Sequence, residues 1–254
     1  MNIHYIANTG FLVKSNNRKV LIDGIHKKQV DPYVSVDNET LHKIVHGEPP
    51  FDHLNLLLFT HYHWDHLDGE LTIEALKHQP NLKLFSSKQT VDFLRTLPNY
   101  SISIDRQLLS DNLLLKETKG YCINSISFKA ISLQHDGEEF KDVVNFAYVI
   151  NINDQIIFHC GDAKPNAFNY ECIGLNKENI TVALLDFPYF SLTSGRKIVT
   201  QYIKPKKIFV MHLPSEEKDT YHWLKTVKKV VTRYGDHLPE ITLCINPNEE
   251  IPCS

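Results

Sequence analysis

The 254-residue sequence lacks the features of a disulfide-stabilised or membrane-embedded protein. Its five cysteines form no CxxC pair and no disulfide-like spacing, and their odd number fits a reduced, intracellular protein. No apolar run approaches the roughly eighteen residues that a membrane helix requires. The N-terminal segment has the pattern of a strand and not of a signal peptide. We therefore expect a cytoplasmic protein with no membrane partner.

The sequence also lacks a strong charge of either sign. Its net charge is −3, so no overall electrostatic field favours nucleic acid or an anionic membrane. One basic stretch, residues 225–234, carries apolar residues at helical spacing and is predicted to form the solvent-facing side of a helix. We expect a small-molecule substrate and no nucleic-acid partner.

Familiar nucleophile motifs are missing as well. The pattern GxSxG is absent, and none of the cysteines lies in a known catalytic motif. Cys160 is interpreted as a small buried residue. A serine or cysteine nucleophile is therefore not expected.

The apolar pattern predicts two β-rich layers in one domain that spans residues 1–254. Residues 4–24 are predicted to form three short strands, and residues 54–59 a buried strand. Strands precede mixed strands and helices in both halves of the chain, which favours two sheets with outer helices over a doubly wound parallel sheet. Residues 25–53 lack clear periodicity and are predicted to be a long loop or lid with some helix.

The segment THYHWDHLDG, residues 60–69, places three histidines and two aspartates within eight positions, directly after a buried strand. In an extended turn, His61 and His63 project to the same side and can bind one ion. Asp65 and His66 follow where the chain turns toward a helix, so they point toward a second position. Imidazole and carboxylate ligands suit zinc, manganese or iron. This turn alone cannot complete two metal sites.

The other ligands are expected at the ends of later strands. His135 ends a predicted strand in LQHDG, Asp162 follows a strand in HCGDA, and His212 ends a strand in VMHLP. A carboxylate such as that of Asp162 can bridge two cations. These three residues are therefore the candidates to complete the two sites.

These motifs, in this order along nearly the whole chain, resemble those of the metallo-β-lactamase superfamily. The resemblance implies an α/β fold in which two sheets and flanking helices form a four-layer αββα sandwich. It implies one metal held by His61, His63 and His135, another held by Asp65, His66 and His212, and a bridge formed by Asp162. It also implies that Asp23, in LIDG, braces the ligand turn from behind. The sequence is most similar to the small hydrolases without long insertions, which include ascorbate-phosphate lactonase-like proteins.

The expected activity is metal-dependent hydrolysis by a hydroxide that bridges two metal ions. Zinc is the expected metal, and Mn²⁺ or Fe²⁺ is compatible with the same ligands. Asp65 and Asp162 are the expected catalytic carboxylates. Esters, lactones, thioesters and phosphodiesters are all compatible with this chemistry.

The expected cleft wall contains the aromatic loop after the strand ITVALLD. Tyr189 and Phe190 are predicted to contact the substrate together with His26 from the 25–53 loop, whereas Phe187 is predicted to pack inward. His159 is expected in the core or behind the metal ligands. For Asp186, a structural role is as compatible with the sequence as a functional one.

Three alternatives stay open at this point. A mononuclear-iron persulfide dioxygenase would keep a similar histidine-rich turn. An RNA phosphodiesterase would need a means of binding RNA, and the chain has neither a long basic insertion nor a net positive charge. The third alternative is a non-enzymatic metal-binding protein.

Overall fold

The computed structural model describes residues 1–252, and within them the strands form two seven-stranded sheets. The first sheet has the order β14-β1-β2-β3-β4-β5-β6. Its strands are β1 (Asn2–Ala7), β2 (Gly10–Ser15), β3 (Arg18–Ile22), β4 (Leu56–Leu58), β5 (Lys83–Ser87), β6 (Leu108–Asp111) and β14 (Glu249–Pro252).

The second sheet has the order β13-β12-β11-β10-β9-β8-β7. Its strands are β7 (Thr118–Ile123), β8 (Ile126–Gln134), β9 (Val144–Ile152), β10 (Gln155–His159), β11 (Val182–Asp186), β12 (Lys207–Met211) and β13 (Glu240–Leu243).

Helices cover the outer faces of these sheets. Their bounds are α1 (Asn38–His46), α2 (Gly69–His78), α3 (Lys88–Arg95), α4 (Ala167–Tyr170), α5 (Pro188–Ser191), α6 (Thr193–Ile198) and α7 (Trp223–Tyr234). Two central sheets between outer helices confirm the predicted four-layer architecture.

Strand β4 shows how the sequence produces these layers. Leu56 and Leu58 belong to the core between the two sheets, whereas Leu57 belongs to the core under helices α1 to α3. Successive side chains of a strand point to opposite faces, so a strand that is buried on both faces must be apolar at every position. This requirement explains why residues 54–59 show no alternation.

The carboxyl ends of many strands meet at one edge of the sandwich. Strands β3 to β6 are parallel neighbours in the first sheet, and strands β10 to β13 are parallel neighbours in the second. Strand β8 runs in the same direction as β10, because both are antiparallel to β9. Ligands bind at such carboxyl-end edges in other α/β sheets. This edge therefore gathers the side chains that follow β3, β4, β8, β10, β11 and β12.

Helix α7 contains the basic stretch of residues 225–234 and confirms that its lysines lie on the solvent-facing side of a helix. Leu224 and Val227 are buried against the second sheet, while Lys225, Lys228 and Lys229 are exposed. Within residues 1–252, no helix is long and apolar enough to cross a membrane. The cysteines in this range, Cys122, Cys160, Cys172 and Cys244, are free, and Cys253 lies outside the described residues.

Tyr148 on β9 joins the two sheets beside the histidine-rich turn. Its buried hydroxyl donates to the carbonyl oxygen of Phe59 at 2.7 Å, and Ser86 Oγ donates to the same oxygen. Tyr148→Phe should lower the free energy of unfolding by about 1 kcal/mol, because one hydrogen bond is lost while the carbonyl keeps a second donor. Urea unfolding measures this change.

Tyr121→Phe is the matched control, since the Tyr121 hydroxyl donates to Asp111 at the partly exposed edge of the sandwich. A loss for Tyr148→Phe no larger than that of the control would contradict the role of this inter-sheet hydrogen bond.

Candidate metal centre

Two groups of metal-binding side chains lie together at the carboxyl-end edge. The first contains His61, His63, His135 and Asp162, and the second contains Asp65, His66 and His212. Within each group, one potential ligand atom from every residue lies within 4.8 Å of the others. The structure thus brings all seven predicted metal ligands into two adjacent clusters.

In the first cluster, three imidazole nitrogens face a common point. His61 Nε2 lies 3.1 Å from His63 Nδ1 and 3.4 Å from His135 Nε2. Strand β4 leads into the turn that carries His61 and His63, and β8 leads to His135. Three imidazoles whose ring nitrogens converge on one point form a typical cation site.

In the second cluster, Asp65 Oδ2 lies 3.1 Å from His212 Nε2 and 3.9 Å from His66 Nε2. His212 follows β12 with a left-handed backbone, φ +58°, and its N–H donates to the carbonyl oxygen of Asn8. This strained turn directs the imidazole back toward the turn that carries Asp65 and His66.

Asp162 lies between the two clusters and presents one oxygen to each. Its Oδ2 is 3.7 Å from His61 Nε2 and 3.5 Å from His135 Nε2. Its Oδ1 is 3.2 Å from His66 Nε2. This placement is the one that a bridging carboxylate requires.

The potential ligand atoms are better placed to bind a cation than to form hydrogen bonds with one another. His66 Nε2 and Asp162 Oδ1 are buried and form an ion pair at 3.2 Å, but neither atom has a partner with the geometry of a hydrogen bond. Buried polar atoms in proteins are nearly always satisfied, and a metal ion would satisfy both. The residues present therefore suit divalent cations.

The outward-facing nitrogens of the histidines are held by hydrogen bonds that leave Nε2 free. Thr60 Oγ1 donates to Asp23 Oδ2 at 2.6 Å, so it accepts from His61 Nδ1 at 3.0 Å. His66 Nδ1 donates to Asp23 Oδ2 at 2.9 Å, and His135 Nδ1 donates to the carbonyl oxygen of Asp136. Such partners fix the tautomer and ring orientation of metal-binding histidines.

Asp23 lies behind the centre, where the family resemblance implies that it should be. It is fully buried, and besides His66 and the Thr60 hydroxyl it accepts the Thr60 N–H at 2.8 Å. These contacts tie the end of β3 to the start of the histidine-rich turn.

His159 supports the centre less directly. Its Nε2 donates to the carbonyl oxygen of Thr9, and its Nδ1 accepts from the N–H of Gly161. Thr9 Oγ1 in turn lies 3.1 Å from His66 Nδ1. His159 therefore fixes two turns that bear on the ligands and does not itself reach the clusters.

The turn that carries Asp162 requires glycine at position 161. Gly161 has φ +57°, and a Cβ there would lie 2.3 Å from Asn145 Oδ1. Asn145 accepts the N–H of Asp162 and donates to the carbonyl oxygen of Cys160. Strand β9 thereby holds the Asp162 turn in place through Asn145.

Electrostatics in the metal-free protein match these roles. Burial lowers the pKa of His61 well below its usual value and lowers the pKa of His63 to about 4, so both imidazoles are neutral at pH 7. Burial alone would raise the pKa of Asp65, but the charge of His66 and the hydrogen bond from His212 lower it far below its usual range. Neutral imidazole and ionised carboxylate are the forms that bind metal.

His66 differs from the other ligands. Burial favours its neutral form, but the carboxylates of Asp162 and Asp65 dominate and raise its pKa well above the usual value. Metal binding at this position must displace that proton.

An apolar-walled cleft of about 290 Å³ opens onto both clusters. Val30 and Tyr33 from the 25–53 loop form one side, as expected for part of this loop. Phe140, Phe187 and Pro188 are also in the wall. The Tyr33 ring stacks on the His212 imidazole, with centroids 3.9 Å apart and planes at 18°.

The prediction of the aromatic contacts is wrong in detail. Tyr189 and Phe190 are fully buried, and the Tyr189 hydroxyl donates to the carbonyl oxygen of Ala163. Phe187, which was expected to pack inward, reaches the cleft and stacks on Trp223. Helix α5 begins at Pro188, so the alternation of the strand does not continue beyond Asp186.

His26 is not in the cleft wall either. It is 1% exposed, and its Nε2 lies 3.4 Å from the carbonyl oxygen of Ala7. The structure places this imidazole in the protein interior and not in contact with a substrate.

Several supporting residues were not predicted from the sequence. Asn8 Nδ2 donates to the carbonyl oxygen of Asp65 at 3.0 Å and to Asp65 Oδ2 at 3.3 Å. The segment Asn8-Thr9-Gly10 has a turn signal, but nothing in it indicates that the turn faces a metal centre. The sequence gives a clearer indication that Thr60 supports the centre, since Thr60 lies between a buried strand and His61.

The sequence matches a model of the beta-lactamase superfamily domain over residues 18–228. The chain belongs to the beta-lactamase superfamily. The matched range includes all seven predicted metal ligands. Among curated proteins, none matches the chain.

Solved structures with the metallo-β-lactamase fold align over nearly the whole chain. The isothiocyanate hydrolase from Delia radicum gut bacteria has a TM-score of 0.66 at 13% identity, over 99% of each chain. The metallo-β-lactamase fold protein YhfI from Bacillus subtilis has a TM-score of 0.63 at 13% identity, over 98% of each chain. CmlA, a diiron beta-hydroxylase from Streptomyces venezuelae, has a TM-score of 0.63 at 10% identity, over 98% of this chain and 53% of its own. At these identities the similarity shows the fold alone.

His26 should make the metal-free protein acid-sensitive. Burial, followed by the charge of His66, lowers its folded-state pKa to about 4, against 6.5 for the free side chain. The unfolded chain therefore binds more protons between these pH values, and stability falls as pH decreases through this window. The contribution of His26 is up to about 3 kcal/mol.

Urea unfolding of metal-free wild type and His26→Asn, at pH 7 and pH 5, tests this expectation. The variant should lose less stability than wild type between the two pH values. Parallel losses in the two proteins would contradict it.

Proposed function

We propose that this chain is a metal-dependent hydrolase that holds two divalent cations and cleaves a small substrate. The observation that carries the proposal is the position of Asp162, with one oxygen toward each of two ligand clusters that open into a single cleft. Zinc is the metal best suited to the three imidazoles of the first cluster, and Mn²⁺ or Fe²⁺ remains compatible.

Cations bound at these positions would activate a water molecule as the nucleophile and polarise the carbonyl or phosphoryl oxygen of the substrate. The residues of the chain supply the geometry. Asp162 would hold the two cations through one oxygen each, and Asp65, kept ionised by His66 and His212, would offer an acceptor in the cleft. Asp23 fixes the orientation of the His66 ring, and Thr60 fixes that of the His61 ring.

The cleft wall favours a small substrate that is not strongly anionic. Its volume of about 290 Å³ lies at the lower end of the range for small-molecule sites. The wall of the cleft, as formed by residues 1–252, contains no lysine or arginine. A phosphodiester or an RNA chain would therefore meet no basic partner there. Esters, lactones and thioesters fit this wall better.

Metal analysis and a substrate panel test the proposal. The purified protein should contain close to two metals per chain, and it should hydrolyse at least one member of a panel of esters, lactones, thioesters and phosphodiesters. An isothiocyanate belongs in the panel, because an isothiocyanate hydrolase shares the fold. Stoichiometric iron with oxygen consumption and no hydrolysis would instead support the oxidoreductase alternative.

Asp162→Asn should keep the fold but lose metal and activity. The amide preserves the shape of the side chain and removes the charge that offsets repulsion between two cations. Turnover should fall by about 10²-fold or more, because preorganised charge is usually the largest catalytic contribution. Turnover and metal content should be measured together with the melting temperature.

Asp136→Asn provides the control for metal content, since Asp136 lines the same cleft but belongs to neither cluster. A fully loaded and active Asp162→Asn variant would remove Asp162 from the centre.

Tyr33 is the wall residue whose loss should weaken substrate binding. Tyr33→Ala should raise KM by up to about tenfold, the value of one aromatic contact, while Tyr33→Phe keeps the ring and should change KM less. Steady-state kinetics on the substrate found in the panel measures both effects.

Tyr189→Phe is the matched comparison, because the Tyr189 hydroxyl is buried away from the cleft. It should lower the melting temperature and leave KM unchanged. A larger KM effect at Tyr189 than at Tyr33 would overturn this assignment of the wall.

A further inference from the structure

Asp186 is a buried carboxyl group at the centre that the predicted ligand set leaves unused. It is the last residue of β11, so it stands at the same edge as the residues that follow β10 and β12. Its side chain is 5% exposed and lines the cleft. Its Oδ1 is buried and has no hydrogen-bond partner. An unpaired buried oxygen of this kind is costly unless a ligand satisfies it.

The neighbours of Asp186 indicate what that ligand is. Potential ligand atoms of Asp162, Asp186 and His212 all lie within 4.8 Å of one another. Asp162 presents an oxygen to each cluster, and His212 belongs to the second. Asp186 therefore lies beside one member of each cluster, Asp162 of the first and His212 of the second.

We propose that Asp186 is a further carboxylate ligand of the cation in the second cluster. This inference rests on the two-metal centre of the proposed function. The second position would then be surrounded by the carboxylates of Asp65, Asp162 and Asp186 and the imidazoles of His66 and His212.

The two metal positions would consequently differ in chemistry. The first has three imidazoles and one carboxylate, a set that suits zinc. The second has more carboxylates than imidazoles, and oxygen-rich sites suit harder cations such as Mn²⁺. The structure thus favours a centre whose second position tolerates Mn²⁺ better than the first.

A purely structural role makes different predictions. Asp186 lies beside the Cys160 thiol, which donates to the carbonyl oxygen of Gly161. If that contact were its purpose, Asp186→Asn would lower the melting temperature of the metal-free protein and leave metal affinity unchanged. A ligand role predicts an unchanged or higher metal-free melting temperature and a smaller rise on adding metal.

The test is a calorimetric titration of the metal-free full chain with Zn²⁺ and with Mn²⁺, for wild type, Asp186→Asn and Asp186→Ala. The first binding event should be unchanged. The second should weaken by about tenfold or more, since removing even a supporting residue of a metal site costs about 10–100-fold. The loss should be larger for Mn²⁺ than for Zn²⁺. Melting temperatures with and without metal provide the second measurement.

Asp111→Asn is the control here, because Asp111 Oδ2 accepts from Lys119 and Tyr121 at the edge of the sandwich and lies in neither cluster. Its metal affinities should equal those of wild type. Unchanged second-site affinity in both Asp186 variants would overturn the inference. A loaded wild type that hydrolyses no panel member would overturn the proposed function instead, since metal affinity does not depend on turnover.

Discussion

Imidazole and carboxylate groups crowd together at the carboxyl-end edge although they do not fully satisfy one another. His66 Nε2 and Asp162 Oδ1 are buried without hydrogen-bond partners, and the lone pairs of His61, His63 and His135 converge. Such an arrangement is unfavourable unless a cation occupies the space between the groups. The rest of the fold can be understood as the framework that keeps these groups in place.

That framework consists of short hydrogen-bonded connections between turns. Asp23 and Thr60 link the end of β3 to the histidine-rich turn, and Asn145 on β9 holds the turn that carries Asp162. Asn8 connects the first hairpin to Asp65. Each connection joins segments that are far apart in the sequence, so the geometry of the centre depends on the correct packing of both sheets.

The cleft owes its character to segments with weak sequence patterns. Tyr33 comes from an irregular loop, and Phe140 and Phe187 come from short turns after β8 and β11. The stacked pair of Tyr33 and His212 joins the cleft wall to the second cluster. Changes in these segments can therefore alter substrate preference while the ligand clusters stay intact.

The sequence by itself determined the layers of the fold and predicted which side chains meet in the two clusters. Continuous apolar strands, turn signals and the dense motif at residues 60–69 are local patterns, and strand ends predicted His135, Asp162 and His212. Only the tertiary structure decided the supporting contacts and the cleft wall. Asn8, Thr9 and Tyr33 have ordinary local patterns and acquire a role through partners 57 to 179 positions away. Phe187 and Tyr189 exchanged their expected places because a helix begins at Pro188, which changes the direction of side chains that strand alternation would have predicted.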